Sequence, residues 1–136
     1  MKTISLNGIW DLRGRRERTT DAPITLSATV PGCVQLDLAE AGYLPGDLFM
    51  GENIKATEAY EEHEWWYERR FDAPEADGRV FLVFEGVDTV AEYYLNGQRI
   101  GESDNMLIPY EIEVGQYLCK GEKAIAEKYF KEVIEK

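Results

Sequence analysis

The chain has 136 residues, with 44% hydrophobic and 30% charged side chains, enough for one compact soluble domain with a genuine core and far from a disordered composition. Fifteen basic against 26 acidic residues leave a formal net charge of -11, a field that repels nucleic acid and anionic lipid and argues against both as partners. The opening Met1-Lys2-Thr3-Ile4-Ser5 contains no apolar run of signal-peptide or membrane-span length, so a cytoplasmic location is expected. Cys33 and Cys119 form neither a disulfide framework nor a metal-ligand spacing, and are expected to be reduced, small buried residues. No cofactor and no metal is expected.

In chain order, the first strand signal covers Ile4 to Leu12 with Trp10 as its anchor. Arg13, Arg15, Arg16 and Arg18 follow as a solvated loop, since a nucleic-acid patch would interleave aromatics with them. A second strand runs from Ile24 to Val30 and stops at Pro31-Gly32. The run Val34 to Ala41 fits a short helix ended by Gly42. Gly- and Asn-punctuated loop then extends from Leu44 to Thr57, followed by an acidic turn of helix or loop at 58–64.

The centre of the chain has the clearest pattern. Alternation from Trp65 to Phe71 puts Trp65, Tyr67, Arg69 and Phe71 on one face, with Trp66, Glu68 and Arg70 on the other. Residues 79–84 are almost wholly apolar and read as a strand covered on both faces; another strand covers 89–95. Asn96-Gly97 is a strong hairpin signal, because both central turn positions need positive φ. Gln98 to Ile100 returns the hairpin, and Pro109 to Val114 supplies one more strand. Many short strands separated by turn signals predict an all-β, antiparallel jelly-roll β-sandwich spanning residues 1–119.

Composition shifts after Cys119: up to that point there are eight Arg and two Lys, and from Lys120 onward five Lys and no Arg. Ile125, Tyr129, Phe130, Val133 and Ile134 gather on one side of a helical wheel. The tail 120–136 is therefore expected to be an amphipathic helix, either folded over an open sheet edge or pairing with a second copy in a homodimer.

Four stretches together resemble the N-terminal domain of family 2 glycoside hydrolases of the β-mannosidase and β-galactosidase type. They are Leu6-Asn7-Gly8-Ile9-Trp10; Val30-Pro31-Gly32 with the later Pro45, Asp47, Gly51 and Asn53; Trp65-x-Tyr67-x-Arg69-x-Phe71; and Phe84-Glu85-Gly86-Val87-Asp88-Thr89 with Tyr94-Leu95-Asn96-Gly97, Ile100-Gly101, Asn105-Met106 and Pro109. The resemblance implies a galactose-binding-domain-like sandwich, ahead of a (β/α)₈ barrel whose two glutamates, about 5 Å apart, run a retaining mechanism. Such a barrel needs about 250 residues, so this chain is expected to hold no catalytic residue. It also implies partner domains in a parent enzyme and carbohydrate as the ligand. The family pattern continues after Lys-Gly-Glu with another apolar strand, where this sequence instead reads as the helix.

The remaining site candidates are weighed against their structural roles. Glu58, Glu61, Glu62 and Glu64 read as a solvated acidic surface, because nothing gives them the apolar pocket of a catalytic acid. His63, the one histidine, has no nucleophile or second ligand near it in sequence and is expected at the surface or a strand edge. Trp65 and Tyr67 are assigned to the core, leaving Trp66 exposed or beneath the 44–57 loop as a sugar-stacking candidate. Asp47, Asn53 and Asn105 lie in loops where binding residues often sit, although turn chemistry also explains them. The expected function is thus a non-catalytic domain supporting an exo-β-glycosidase, with an independent carbohydrate-binding module or an interaction scaffold as alternatives.

Overall fold

The computed structural model describes residues 2–16, 20, 22–60, 62–74, 78–88, 90–118 and, by backbone path, 123–131. Among the described residues eight strands dominate: β1 (Gly8–Arg16), β2 (Ile24–Val30), β3 (His63–Asp72), β4 (Phe81–Phe84), β5 (Val90–Leu95), β6 (Gln98–Ser103), β7 (Tyr110–Glu113) and β8 (Lys123–Lys131). One α-helix, α1 (Val34–Glu40), and a 3₁₀ helix (Asn53–Tyr60) fall between β2 and β3. The chain divides into two compact units, residues 1–67 and 68–136, with β3 running across the division. Among the described residues, no helix is long and apolar enough to cross a membrane.

In the first unit β2, β1 and β3 are hydrogen-bonded neighbours in that order. β1 and β2 pair antiparallel from Gly8↔Val30 to Gly14↔Ile24. The alternation begun by Trp10 and Leu12 continues through Gly14, all three buried, with Asp11, Arg13 and Arg15 pointing to solvent. Arg13, Arg15 and Arg16 are therefore strand residues and not a loop; charged side chains at alternate positions are what the wet face of a half-buried strand requires. Arg18 lies outside the described residues.

Gly14 matters because of what crosses it. A Cβ built there would overlap the Trp65 six-membered ring, and Trp65 is 1% exposed. The inward-facing indole of β3 thus occupies the space that β1 leaves open. On β3 the alternation read from the sequence holds: Trp65 and Tyr67 are buried, while Trp66 and Glu68 are half-buried on the opposite face. Their partner one step earlier is His63, also buried. The surface position expected for His63 is overturned, because it shares parity with Trp65 and Tyr67.

α1 begins after Cys33 and packs on β2. Its Val34 and Leu38 are buried, and so is Asp37. Cys33 is exposed, contrary to expectation, since it occupies the N-cap, outside the helix stripe that turns inward. Cys119 lies outside the described residues.

In the second unit the neighbour order is β3-β8-β5-β6, and β4 pairs with β7 in a separate two-stranded sheet. The hairpin turn between β5 and β6 has Asn96 at φ 52° and Gly97 at φ 78°, as the Asn-Gly dipeptide predicts. Asn96 Nδ2 also donates to the Tyr117 carbonyl at 2.8 Å, anchoring the turn. The two sheets meet through Tyr93, which is fully buried: its ring stacks with Phe84 of β4 (centroids 4.1 Å) and Tyr110 of β7 (5.3 Å), and its hydroxyl lies 2.7 Å from Ser103 Oγ. Val87, Ala91, Ile100 and Ile112 close the same cluster. This is the antiparallel β-sandwich expected from the strand pattern.

Two expectations are corrected here. β4 is not covered on both faces: Phe81 and Val83 are 43% and 47% exposed. The reason is that β4 buries only its even positions, whereas Phe81 lies under the Arg79 guanidinium (4.9 Å to the ring centroid), which is itself bidentate on Glu113 of β7 at 2.9 and 3.2 Å. The second correction concerns the tail. Residues 123–131 form β8 and not the amphipathic helix expected over 120–136. β8 runs antiparallel to β5, from Leu95↔Ala126 to Val90↔Lys131, and has β3 on its other side. An inner position in a sheet satisfies backbone groups along both edges of nine residues, which outweighs the weak preference of an isolated helix of this length. The helical stripe dissolves: Tyr129 stands opposite Glu92 and Phe130 opposite Ala91, on alternate positions of the strand. A homodimer built on Ile125, Tyr129, Phe130, Val133 and Ile134 as one helix face loses its basis. Val133 and Ile134 lie outside the described residues.

The Trp65–Gly14 contact makes Gly14→Ala destabilising by about 1–3 kcal/mol through overpacking, read as a lower urea midpoint. Gly46→Ala, with open space around its Cβ position, should shift that midpoint little; equal effects at both sites would contradict the packing described.

Candidate functional site

The four residues singled out as sugar contacts separate into two loops and one strand. Asp47 and Asn53 share the loop between α1 and β3. Asp47 Oδ1 accepts the Phe49 backbone N–H at 3.1 Å, and Asn53 Nδ2 donates to the Asp47 carbonyl at 2.8 Å. Asn105, between β6 and β7, does the same in its own loop: its Oδ1 accepts the Leu107 N–H at 2.9 Å. Asp47 and Asn105 each fold back on the backbone N–H two residues on, the Asx geometry these residues favour in turns, whereas Asn53 reaches back six residues to the Asp47 carbonyl. Trp66 stands half-buried on β3. The structure does not gather these residues into one pocket lining within either unit: Asp47 and Asn53 are joined to each other, and Asn105 belongs to the second unit.

The Asx turns have a common consequence. They push an apolar side chain outward at each loop tip, Phe49 at 90% exposure and Leu107 at 81%. Met50 and Ile54 flank the first tip, and Met106 and Ile108 the second, all exposed.

Carboxylates that come together are tied to arginines. On the β5–β6 hairpin, Arg99 reaches Glu102 at 2.7 Å and Glu92 at 3.8 Å, and Glu92 also accepts the Tyr94 hydroxyl at 2.7 Å. Among the described residues, no group of three or more His, Cys, Asp or Glu is placed to hold a metal ion.

Two buried ionisable groups went unforeseen as such, and both belong to the first unit. Asp37 is 4% exposed; its Oδ1 accepts the Thr29 N–H of β2 at 3.1 Å, and its Oδ2 has no hydrogen-bond partner among the described residues. Burial pushes its carboxyl above the usual aspartate range, the Thr29 bond pulls it part of the way back, and Glu40 adds a further upward push. Because β1 takes the other edge of β2, Asp37 covers an outward N–H on an edge strand. His63 lies between the rings of Tyr60 (centroids 5.3 Å) and Trp65 (5.5 Å, 20° between planes), with Nδ1 buried and without a partner among the described residues. Tyr67, deep in the same unit, has its phenol pushed up by burial, with the charges of Asp37 and Cys33 acting in the same direction. The sequence signal for His63 was its spacing of two from Trp65; for Asp37 it was its place one turn after Val34 and beside Leu38 on the helix stripe.

Comparison with known proteins fits this architecture. The family model described as glycosyl hydrolase 2 galactose-binding domain-like matches residues 10–134. The chain belongs to that family. A probable β-mannosidase of Caenorhabditis elegans is 33% identical over 128 residues, which are 93% of this chain and 14% of that protein. β-Mannosidase B of Thermothelomyces thermophilus is 35% identical over 85% of this chain and 13% of its own length. The crystal structure of a β-D-mannosidase from Dictyoglomus thermophilum superposes with a TM-score of 0.84 at 36% identity, covering 97% of this chain and 16% of that one. The chain therefore spans about a seventh of the length of the relatives it matches. The family match extends through 123–131, consistent with a sheet strand there and not an appended helix.

The pH dependence of Asp37 has a definite sign. Its folded value lies above its unfolded value, so the stability it contributes is present in acid and is lost as pH rises through the folded value. Asp37→Asn, which keeps an acceptor for Thr29, should gain stability relative to the parent between about pH 4 and about pH 7. Urea titrations at both values check this; a variant that loses ground as pH rises would contradict it.

Proposed function

We propose that the chain is the non-catalytic N-terminal β-sandwich domain of a longer retaining exo-β-glycosidase of the β-mannosidase type, where it supports the catalytic barrel and the carbohydrate pocket. One observation carries this reading: nearly the whole chain aligns with a domain-sized part, about a seventh, of β-mannosidases from an animal and a fungus and of a bacterial β-mannosidase structure. A β-galactosidase of Aeromonas hydrophila, 31% identical over 78% of this chain, supports the broader glycosidase class.

The site chemistry agrees. Retaining hydrolysis needs two carboxylates facing across a glycosidic bond, one of them kept protonated by an apolar pocket. The carboxylates Glu92, Glu102 and Glu113 instead have arginine partners at 2.7 to 3.8 Å. Asp47, Asn53 and Asn105 act in this reading through the loops they brace, presenting Phe49 and Leu107, and carbohydrate is met together with the rest of the enzyme.

The pure chain should leave a nitrophenyl β-mannoside and a nitrophenyl β-galactoside unhydrolysed above the buffer rate, and titration with mannose or galactose should leave its Trp fluorescence unchanged. Turnover would overturn the non-catalytic reading. A saturable fluorescence change, removed by Trp66→Ala, would favour an independent carbohydrate-binding module in its place.

A further inference from the structure

The only histidine in the chain sits where a proton is poorly accommodated. His63 opens β3 and is 9% exposed. Its ring is stacked on Trp65 on one side and meets Tyr60, the last residue of the 3₁₀ helix, on the other. Tyr60 in turn leans on Trp65 (6.4 Å, 41°) and donates its hydroxyl to the Tyr43 carbonyl at 3.4 Å. Three rings therefore join the end of the 3₁₀ segment to the strand that lies over Gly14. Among the described residues, Nδ1 of His63 has no acceptor or donor. An imidazolium must donate from both ring nitrogens, so protonation in place leaves a buried donor unsatisfied, at a cost that opening of the site to water relieves.

The groups facing the ring come from three elements. Tyr60 brings its phenol from the 3₁₀ helix, Arg16 its guanidinium from the end of β1, and Glu62 its carboxylate from the turn before β3, where Arg16 and Glu62 are themselves 3.5 Å apart. Burial and the Arg16 charge disfavour the imidazolium, and Glu62 partly offsets them, leaving the His63 value below that of a free histidine. With the folded value depressed, protons bind the opened form better, and stability of the closed stack is lost as pH falls below the free-histidine value.

We propose that the Tyr60–His63–Trp65 stack is an acid-sensitive latch: it holds the Asn53–Tyr60 segment against β3 while His63 is neutral and releases that segment, with the Phe49-bearing loop before it, when His63 takes a proton. The device uses the residue type that titrates near neutrality, placed in the nearer of the two ring contacts by which Tyr60 meets the strand. It sets how firmly the loop is presented, independently of whatever the loop meets.

A single histidine gives a single imidazole resonance, so its titration by NMR in the unaltered chain reads the latch directly. The midpoint should lie below about 6.5. Across that midpoint, protection of the Asn53 and Lys55 amides, which donate to Met50 and Glu52 carbonyls, should fall once intrinsic exchange rates are allowed for, while β5 amides keep theirs. The opening constant should rise about tenfold for each unit by which the closed-state value lies below the open-state one. His63→Phe keeps a ring in the stack without a titrating group and should remove the pH-linked change. A histidine midpoint at or above the free value would overturn the proposal, as would loop protection that does not change through it. Should the Phe variant fail to fold, the first two readouts in the unaltered chain still decide the matter.

Discussion

The Trp65 ring lying on Gly14 is the contact on which the first unit depends. It requires β1 to leave a gap at one position and β3 to fill it, so the two strands can occupy only one register and one pair of faces. From that contact the neighbouring features follow. β1 must continue past Leu12 to bring Gly14 alongside, which draws Arg13, Arg15 and Arg16 into the sheet. His63 and Tyr67, two residues to either side of Trp65, are carried inward with it. The equivalent role in the second unit belongs to Tyr93, clasped by Phe84 and Tyr110 of the opposite sheet and tethered through its hydroxyl to Ser103.

Much of this was legible in the sequence because strands write their faces in alternate letters. The pattern from Trp65 to Phe71, the Asn96-Gly97 turn and the short helix after Pro31-Gly32 all appear where the residues place them. What could not be read locally was decided by partners distant in sequence. Phe81 and Val83 are apolar yet outward-facing, because only the even positions of β4 turn inward, Phe84 onto Tyr93, and the Arg79 side chain covers Phe81 from outside. The 123–131 stretch has helical spacing but lies between two strands offering backbone hydrogen bonds, a benefit no window of its own residues reveals. For His63 the lack of a neighbouring nucleophile or ligand said nothing about burial; the period-two spacing from Trp65 is the better guide.

The candidate site was legible only in part. Asp47, Asn53 and Asn105 were picked out as loop residues able to bind, and each spends hydrogen bonds on shaping its own loop. The outward-facing side chains that result are Phe49 and Leu107, apolar tips held on braced turns. In the proposed reading, hydrogen-bonded loops with apolar tips suit contact with the other domains of a parent enzyme, since a pre-shaped loop loses little entropy when it is covered.

Whether the chain through Lys131 forms one antiparallel sandwich, and not a sandwich followed by a helix, is tested most directly by solution NMR of residues 123–131. Extended-backbone chemical shifts, together with cross-strand backbone contacts such as Tyr93 to Lys128 and Ala91 to Phe130, are the expected result. Helical shifts with sequential i to i+3 contacts across the same residues would contradict it.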